Sequence, residues 1–289
     1  MMDDDPKTVW DHIRRATDML RDAGVAEPFA SARVLMSFVL GVPTARLALE
    51  RTRKLQADEA RAFAELVERR ASGEPVAYIT GEREFFSMPF AVREGAFVPR
   101  PETEHVVEAV LDAARRFRRP AILDIGTGTG CIAIAVAKHL DEAFVVAADV
   151  SAAALECARE NLRRHGLGDR VRLVRADAVS CFAEAFDIVV SNPPYVAAAE
   201  WDLLSREVRN FEPREALVSG KSGFEFIERM VQKCPSVVRS GGFLIFEVGD
   251  GQAERACELA KDAGWEIIDV IEDWSGVPRV VVAKKRGRE

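Results

Sequence analysis

The chain has 289 residues, 48% of them apolar, and a formal net charge of −7. That is enough apolar material for two domains of ordinary size, and the acidic balance excludes a global basic field that would gather nucleic acid. The five cysteines (131, 157, 181, 234, 257) and four histidines (12, 105, 139, 165) show neither a C-x-x-C pair nor metal-ligand spacing. No metal site or disulfide framework is therefore expected, and the thiols read as those of a reduced, cytoplasmic protein. No apolar run reaches membrane-spanning length, and the acidic start at residues 1–5 is not a signal peptide. The closing Lys284-Lys285-Arg286-Gly287-Arg288 is basic but short, a solvated terminus.

Residues 1–75 read as helical. Val9, Trp10, Ile13, Ala16 and Leu20 fall on one helical face, and Gly24 can close that helix. A more apolar stretch, 29–40, stops at Gly41, and Thr44 and Asp58 stand where the N-caps of two further helices would. The second of these carries Phe63, Leu66 and Val67 and ends near Gly73. No catalytic constellation falls in this bundle. Its apolar stripes supply a core, and the bundle is a candidate for docking a partner.

From 76 to about 104 the pattern changes to strand. Residues 78–86 and 89–92 predict a hairpin turning near Ser87 and Met88. In the following 97–104, Pro99 and Pro101 hold the backbone extended, and Thr103 can cap the next helix. The segment reads as a linker or as a lid over a ligand. The lid reading puts Phe85, Phe86 and Arg100 near the reacting groups.

Residues 105–289 alternate strand and helix, which predicts a parallel-type sheet covered on both faces. Strands are expected at Ala121–Ile125, 144–148, 171–174, 186–190, 243–246, 266–270 and 280–283, with a helix at 222–238. After Ala121–Ile125 comes Gly126-Thr127-Gly128-Thr129-Gly130, and Cys131 then opens a helix. Glycines allow the tight turn and a close ligand approach. The third glycine comes one residue early for a dinucleotide turn, and no Gly-Lys-Ser/Thr phosphate loop is present. The next strand ends in Asp149, about 20 residues on, where an acid can hydrogen-bond ribose hydroxyls. The same acid is also a candidate N-cap for a helix at 151–165.

The strand at 186–190 runs into Asn192-Pro193-Pro194-Tyr195. Two prolines end the strand and stiffen the turn. The turn sets an amide and an aromatic ring at the carboxyl edge of the sheet, where ligands of open α/β folds bind. Amide and backbone oxygens accept hydrogen bonds and the ring gives a flat apolar face. Such a pocket suits a planar group carrying an NH2, whether a carboxamide or the amino group of adenine.

Asp124-x-Gly126-x-Gly128-x-Gly130, Asp149 and Asn-Pro-Pro-Tyr together are similar to S-adenosylmethionine-dependent methyltransferases. With Pro75-Val76-Ala77-Tyr78-Ile79-Thr80-Gly81, Val98-Pro99-Arg100-Pro101-Glu102-Thr103-Glu104, Glu212-Pro213 and Phe246-Glu247-Val248-Gly249 added, nearly the whole chain resembles the PrmC/HemK family. Members of that family are protein-(glutamine-N5) methyltransferases of peptide chain release factors. The resemblance implies an α/β fold in three parts. These are an N-terminal helical, substrate-docking domain (1–75), a β-hairpin linker (76–104) and a Rossmann-like seven-stranded class I methyltransferase domain (105–289). It implies S-adenosyl-L-methionine as cofactor and the glutamine of a Gly-Gly-Gln loop as substrate. Charge, cysteines and hydropathy add the expectation of a cytoplasmic protein without nucleic acid or membrane partners, and the oligomeric state is left open, with a monomer expected.

Carried over residue by residue, Gly126, Thr127, Gly128, Thr129 and Gly130 line the cofactor's methionine part. Asp149 holds its ribose and Asp177 lies beside the adenine. Asn192, Pro193, Pro194 and Tyr195 form the catalytic turn, with Asn192 facing cofactor and substrate alike; the lid reading adds Phe85 and Arg100 as substrate-holding residues. Where some members have a bulky aromatic after that acid, this chain has Ala178. An adenine-N6 nucleic-acid methyltransferase and a non-catalytic cofactor-binding module remain as other readings of the same residues.

Overall fold

The computed structural model describes residues 8–178, 180, 182 and 186–286. Residues 1–5, Cys181, Gly287 and Arg288, singled out above, lie outside the described residues. Two compact units form. One runs to Glu82 and adds Ser205–Phe211; the other comprises Arg83–Leu204 and the chain from Glu212 onward.

In the first unit, α1 (Val9–Asp22) buries Val9, Ile13, Ala16 and Leu20 along one stripe. Its start is closed by a reciprocal pair in which Asp11 N donates to Thr8 Oγ1 and Thr8 N to Asp11 Oδ2. Helix α2 (Pro28–Leu40) stops at Gly41, whose φ of 63° is left-handed. Thr44 does not cap: it is the first residue of a 3-10 turn, Thr44–Ala48, after Pro43. Asp58 does not cap either. Helix α3 (Ala57–Ala71) begins one residue before it, and Gln56 N donates to Glu59 there. Leu35, Met36, Phe63 and Val67 close the core from α2 and α3.

Residues 78–80, expected as strand, are helical. Pro75 and the left-handed Gly81 bracket a single turn, α4 (Val76–Thr80). Three residues apart on that turn, Val76 and Ile79 reach the core of the helical unit, so packing overrides their β preference. The hairpin keeps only β1 (Glu82–Phe85) and β2 (Met88–Ala91), turning at Phe86 and Ser87, both at positive φ. Arg70 is buried in this unit. It donates to Ser31 Oγ at 3.4 Å, to the Glu74 carbonyl at 2.9 Å and to Glu207 at 2.7 Å. Glu207 lies on α8 (Arg206–Phe211), which by sequence falls within the other unit.

The second unit is built on α5 (Glu104–Ala114), β3 (Ala121–Ile125), α6 (Cys131–His139), β4 (Phe144–Asp149), α7 (Ala152–His165), β5 (Val171–Arg175) and β6 (Phe186–Ser191). It continues with α9 (Glu225–Lys233), β7 (Val238–Glu247), α10 (Ala253–Asp262), β8 (Trp265–Glu272) and β9 (Pro278–Lys285). The seven strands lie in the order β5-β4-β3-β6-β7-β9-β8. The first five run parallel, but β9 is antiparallel to both β7 and β8, so the sheet is mixed rather than wholly parallel. The helix expected at 222–238 is shorter, because Cys234-Pro235 turns it into a 3-10 segment and Val238 already pairs with β6.

Alternate residues separate the two core layers, as a period of two requires. Ile122, Ile188, Val190, Phe243 and Ile245 pack with residues of α5 and α6, while Leu123, Val189, Leu244 and Phe246 pack with residues of α9 and α10. The strand order reverses between β3 and β6. The crevice beyond their carboxyl ends is where such sheets bind ligands.

Candidate active site

Register fixes what meets in that crevice. Ile125 pairs with Ala148 on one side and Ser191 on the other, and Ser191 pairs with Phe246. The residues immediately following, Gly126, Asp149, Asn192 and Glu247, are therefore brought to one edge by the sheet itself. A cavity of about 530 Å³ opens there, a size that suits a nucleoside-sized ligand.

The glycine turn folds back on β4: Gly126 N and Thr127 N both donate to the Ala148 carbonyl. Gly126 and Gly128 take φ of 71° and 57°, a region that favours glycine. Asp124 lies fully buried beneath, accepting from the Thr127 hydroxyl at 2.6 Å, and burial pushes its carboxyl up to about 7. Asp149 accepts from Gly128 N at 2.9 Å and Ser151 N at 2.8 Å. It is not the cap of α7; Ser151 is, with its hydroxyl accepting from Ala154 N. Two backbone bonds leave Asp149 acceptor capacity for a ligand, since a carboxylate has about four lone-pair sites.

At the far side, Asp177 forms a two-pronged ion pair with Arg229 at 2.8 and 2.9 Å. The Arg229 guanidinium lies 5.1 Å from the Phe226 ring centre. Asp177, Ala178, Phe226 and Arg229 all line the cavity, so an aromatic ring reaches it from α9 although position 178 carries none.

In the Asn-Pro-Pro-Tyr turn, Asn192 Nδ2 donates to Thr103 Oγ1 at 2.9 Å. Thr103 Oγ1 donates to Glu247 Oε2 at 2.6 Å, and Tyr195 Oη donates to Glu247 Oε1 at 3.2 Å. Thr103 stands at the N-cap position of α5 but makes no capping hydrogen bond; its hydroxyl donates instead to a carboxylate at the end of β7. Burial pushes Glu247 up to about 7 and raises the Tyr195 phenol as well. The Tyr195 carbonyl accepts from Gln252 Nε2 at 2.8 Å.

Of the expected site residues, Gly126, Thr127, Gly128, Thr129, Asp149, Asp177, Asn192, Pro193, Pro194 and Tyr195 share this one cavity. Three do not line it. Gly130 opens α6 at φ 82°, and a Cβ there would stand 3.2 Å from Ala158 and Ile134, so its glycine answers to packing. Phe85 is 1% exposed and stacks edge-on with Phe90 in the core below the sheet, too far inside to touch a substrate. Arg100 is ion-paired with Glu212 and stacked 4.7 Å from the Phe97 ring, and it is Phe97 that lines the cavity. Thr103, Phe97, Phe226 and Arg229 were not expected at the site. Thr103 and Phe97 flank the Pro99-Arg100-Pro101 run and were readable by position, whereas nothing local marks Phe226 or Arg229.

The residues present fit S-adenosylmethionine. A glycine cradle faces the cavity, and beside it Asp149 retains acceptor capacity for a ligand. Among the described residues no His/Cys/Asp/Glu group suits a metal ion, and no helix is long and apolar enough to cross a membrane.

Comparison with known proteins agrees with this geometry. The PrmC N-terminal domain model matches residues 11–81 and the methyltransferase small domain model residues 103–212. A release factor glutamine methyltransferase of Chlorobaculum tepidum is 44% identical over 88% of this chain and 90% of that protein. One from Rhodopirellula baltica is 38% identical over 98% of both. Among solved structures, a methyltransferase from Pyrococcus furiosus superposes with a TM-score of 0.52 at 19% identity, over 76% of this chain and 98% of that one, which speaks for the fold.

Proposed function

Since the chain belongs to the family of release factor glutamine methyltransferases, we propose that it methylates the side-chain amide nitrogen of a glutamine in a peptide chain release factor, the one in the Gly-Gly-Gln loop. The observation that carries the reading is the meeting of the glycine turn and the Asn192–Tyr195 turn on one cavity; a Cβ on Gly126 would lie 4.0 Å from the Asn192 carbonyl oxygen.

When bound, S-adenosylmethionine supplies a methyl group on a positively charged sulfur. The chain's own residues have a different task. A carboxamide nitrogen is a poor nucleophile because its lone pair is delocalised into the carbonyl. Asn192 Oδ1 and the Pro193 carbonyl accept its two N–H bonds, which orients the nitrogen and offsets the positive charge that builds on it. Tyr195 packs against the amide plane. No strong base is required, because the methylated amide can release its proton to water afterwards. The helical unit docks elsewhere on the factor, since a short loop buries too little surface for a stable complex. The described cysteines, all free and buried, suit a reducing cytoplasm.

The test is methyl transfer from labelled S-adenosylmethionine to purified release factor, DNA and RNA in parallel, with mass spectrometry of the factor. One added methyl on the Gly-Gly-Gln glutamine, lost when that glutamine is replaced, is the expected result. Label on adenine with none on the factor would reject the reading.

A further inference from the structure

The two ends of the Asn192 amide are alike in shape and opposite in chemistry: one donates, the other accepts. Only the accepting end suits a substrate NH2. The protein therefore needs a device that keeps Oδ1 toward the cavity.

The Thr103 hydroxyl holds one proton, and it lies 2.6 Å from Glu247 Oε2. An ionised carboxylate only accepts, so that proton is committed to Glu247. The hydroxyl can then meet Asn192 only as an acceptor, and Asn192 presents Nδ2 to it at 2.9 Å. Half a turn of the amide would set two acceptor oxygens against each other. The same carboxylate accepts from the Tyr195 hydroxyl through its other oxygen. Glu247 itself is 2% exposed at the end of β7 and does not line the cavity, whereas Thr103, Asn192 and Tyr195 do. It touches neither substrate nor cofactor, yet it orders both substrate-facing side chains.

We propose that Glu247, acting through Thr103, sets which end of the Asn192 amide faces the substrate and is thereby a positioning residue for methyl transfer. The proposal rests on the reading of Asn192 as acceptor for the substrate carboxamide. A pH dependence follows. The groups facing Glu247 are Thr103 and Tyr195, which hydrogen-bond it, Glu102, which favours its protonation, and Arg279 of β9, which opposes it; burial outweighs them and holds it near 7. A protonated Oε2 donates to Thr103, whose own proton then turns to Asn192 and draws Oδ1 away from the cavity.

The experiment compares turnover on the whole release factor, together with calorimetric affinity for S-adenosylmethionine, across Thr103→Val, Thr103→Ser, Glu247→Gln and Asn192→Ala. Valine should lower kcat by about tenfold to a hundredfold, the range of one hydrogen bond to a charged group, with cofactor affinity unchanged. Serine, which keeps the hydroxyl, should restore most of it. Wild-type kcat should fall on the acid side of neutrality, and Glu247→Gln should remove that limb. Near-normal kcat in Thr103→Val beside an inactive Asn192→Ala overturns this inference alone. So does an acid limb that persists in Glu247→Gln, or a serine variant as poor as valine. A fully active Asn192→Ala overturns it together with the reading beneath it.

Discussion

Gly128 N donates to Asp149 Oδ2 at 2.9 Å, so the acid at the end of β4 holds the glycine turn at the end of β3. The group that is to hold the ribose also shapes the cradle beside it. Replacing Asp149 by Ala should therefore weaken S-adenosylmethionine binding by roughly 1.5–3 kcal/mol, the range of hydrogen bonds to a charged group. Calorimetric titration measures this, and Asp149→Asn should recover part of the loss. An unchanged affinity in the alanine variant would leave Asp149 only its bonds to Gly128 and Ser151.

Asn192→Ala should separate binding from chemistry. Its proposed partner is the substrate amide, so turnover should fall by about 2.7–4 kcal/mol of transition-state stabilisation, by analogy with a lost oxyanion donor. Cofactor affinity should stay close to that of the wild type. Single-turnover methyl transfer with saturating cofactor decides it.

Asp124 and Glu247 both sit near 7 in the folded protein, against ordinary values of 3.8 and 4.5. Between about pH 4 and about pH 7 the folded state binds more protons at these groups than the unfolded chain does, so their contribution to stability declines as pH rises and levels off above that window. Asp124→Asn keeps an acceptor for Thr127 and has no charge to bury. Its thermal midpoint relative to wild type should climb as pH rises through the window. A pH-independent difference would count against the raised value.

Arg70→Ala should destabilise the helical unit. The lost donors leave the Glu74 carbonyl and Ser31 without their partner, at roughly 1–3 kcal/mol. Glu207, part-exposed, regains water and adds little. Lysine should not rescue fully, since a point charge cannot reach three partners as a planar guanidinium does. Urea denaturation followed by circular dichroism gives the number.

If the helical unit docks the release factor, its exposed apolar side chains are the place to look: Phe29, Phe38 and Leu49 are 42%, 51% and 83% exposed. Phe38→Asp with Leu49→Asp should raise KM for the whole factor by about tenfold or more, as for loss of an interface anchor. Methylation of a short Gly-Gly-Gln peptide should be unaffected. Equal effects on both substrates would remove docking from this face.

What the sequence made legible was local. The strand–glycine–helix passage at 121–139 and the proline-stopped turn at 192–195 are specified by residues that touch one another, and both stand where expected. The long-range choices were not legible. Val76–Thr80 has strand-like composition, but a helical turn lets Ile79 reach a core made by distant helices. Thr103 precedes a helix as a cap would, yet its hydroxyl bonds to a residue 144 positions away. Phe85 has the look of a lid residue, and only the packed core shows it buried. Phe226 and Arg229 reach the site because α9 lies beside the loop after β5, a neighbourhood no spacing rule encodes.

Helix α8 has a consequence for synthesis. A helical bundle at the start of a chain would ordinarily be finished soon after leaving the ribosome. Here the counter-charge of Arg70 is Glu207, made only after four strands of the seven-stranded sheet. At bacterial or eukaryotic elongation rates that interval is on the order of ten seconds. During it Arg70 lacks its counter-charge, and the nascent bundle has a face without its last helix. Completion of the first unit is thereby tied to translation of the turn that holds Asn192, so a truncated or stalled product ending before residue 205 lacks both a finished bundle and a finished sheet, and is open to proteolytic clearance.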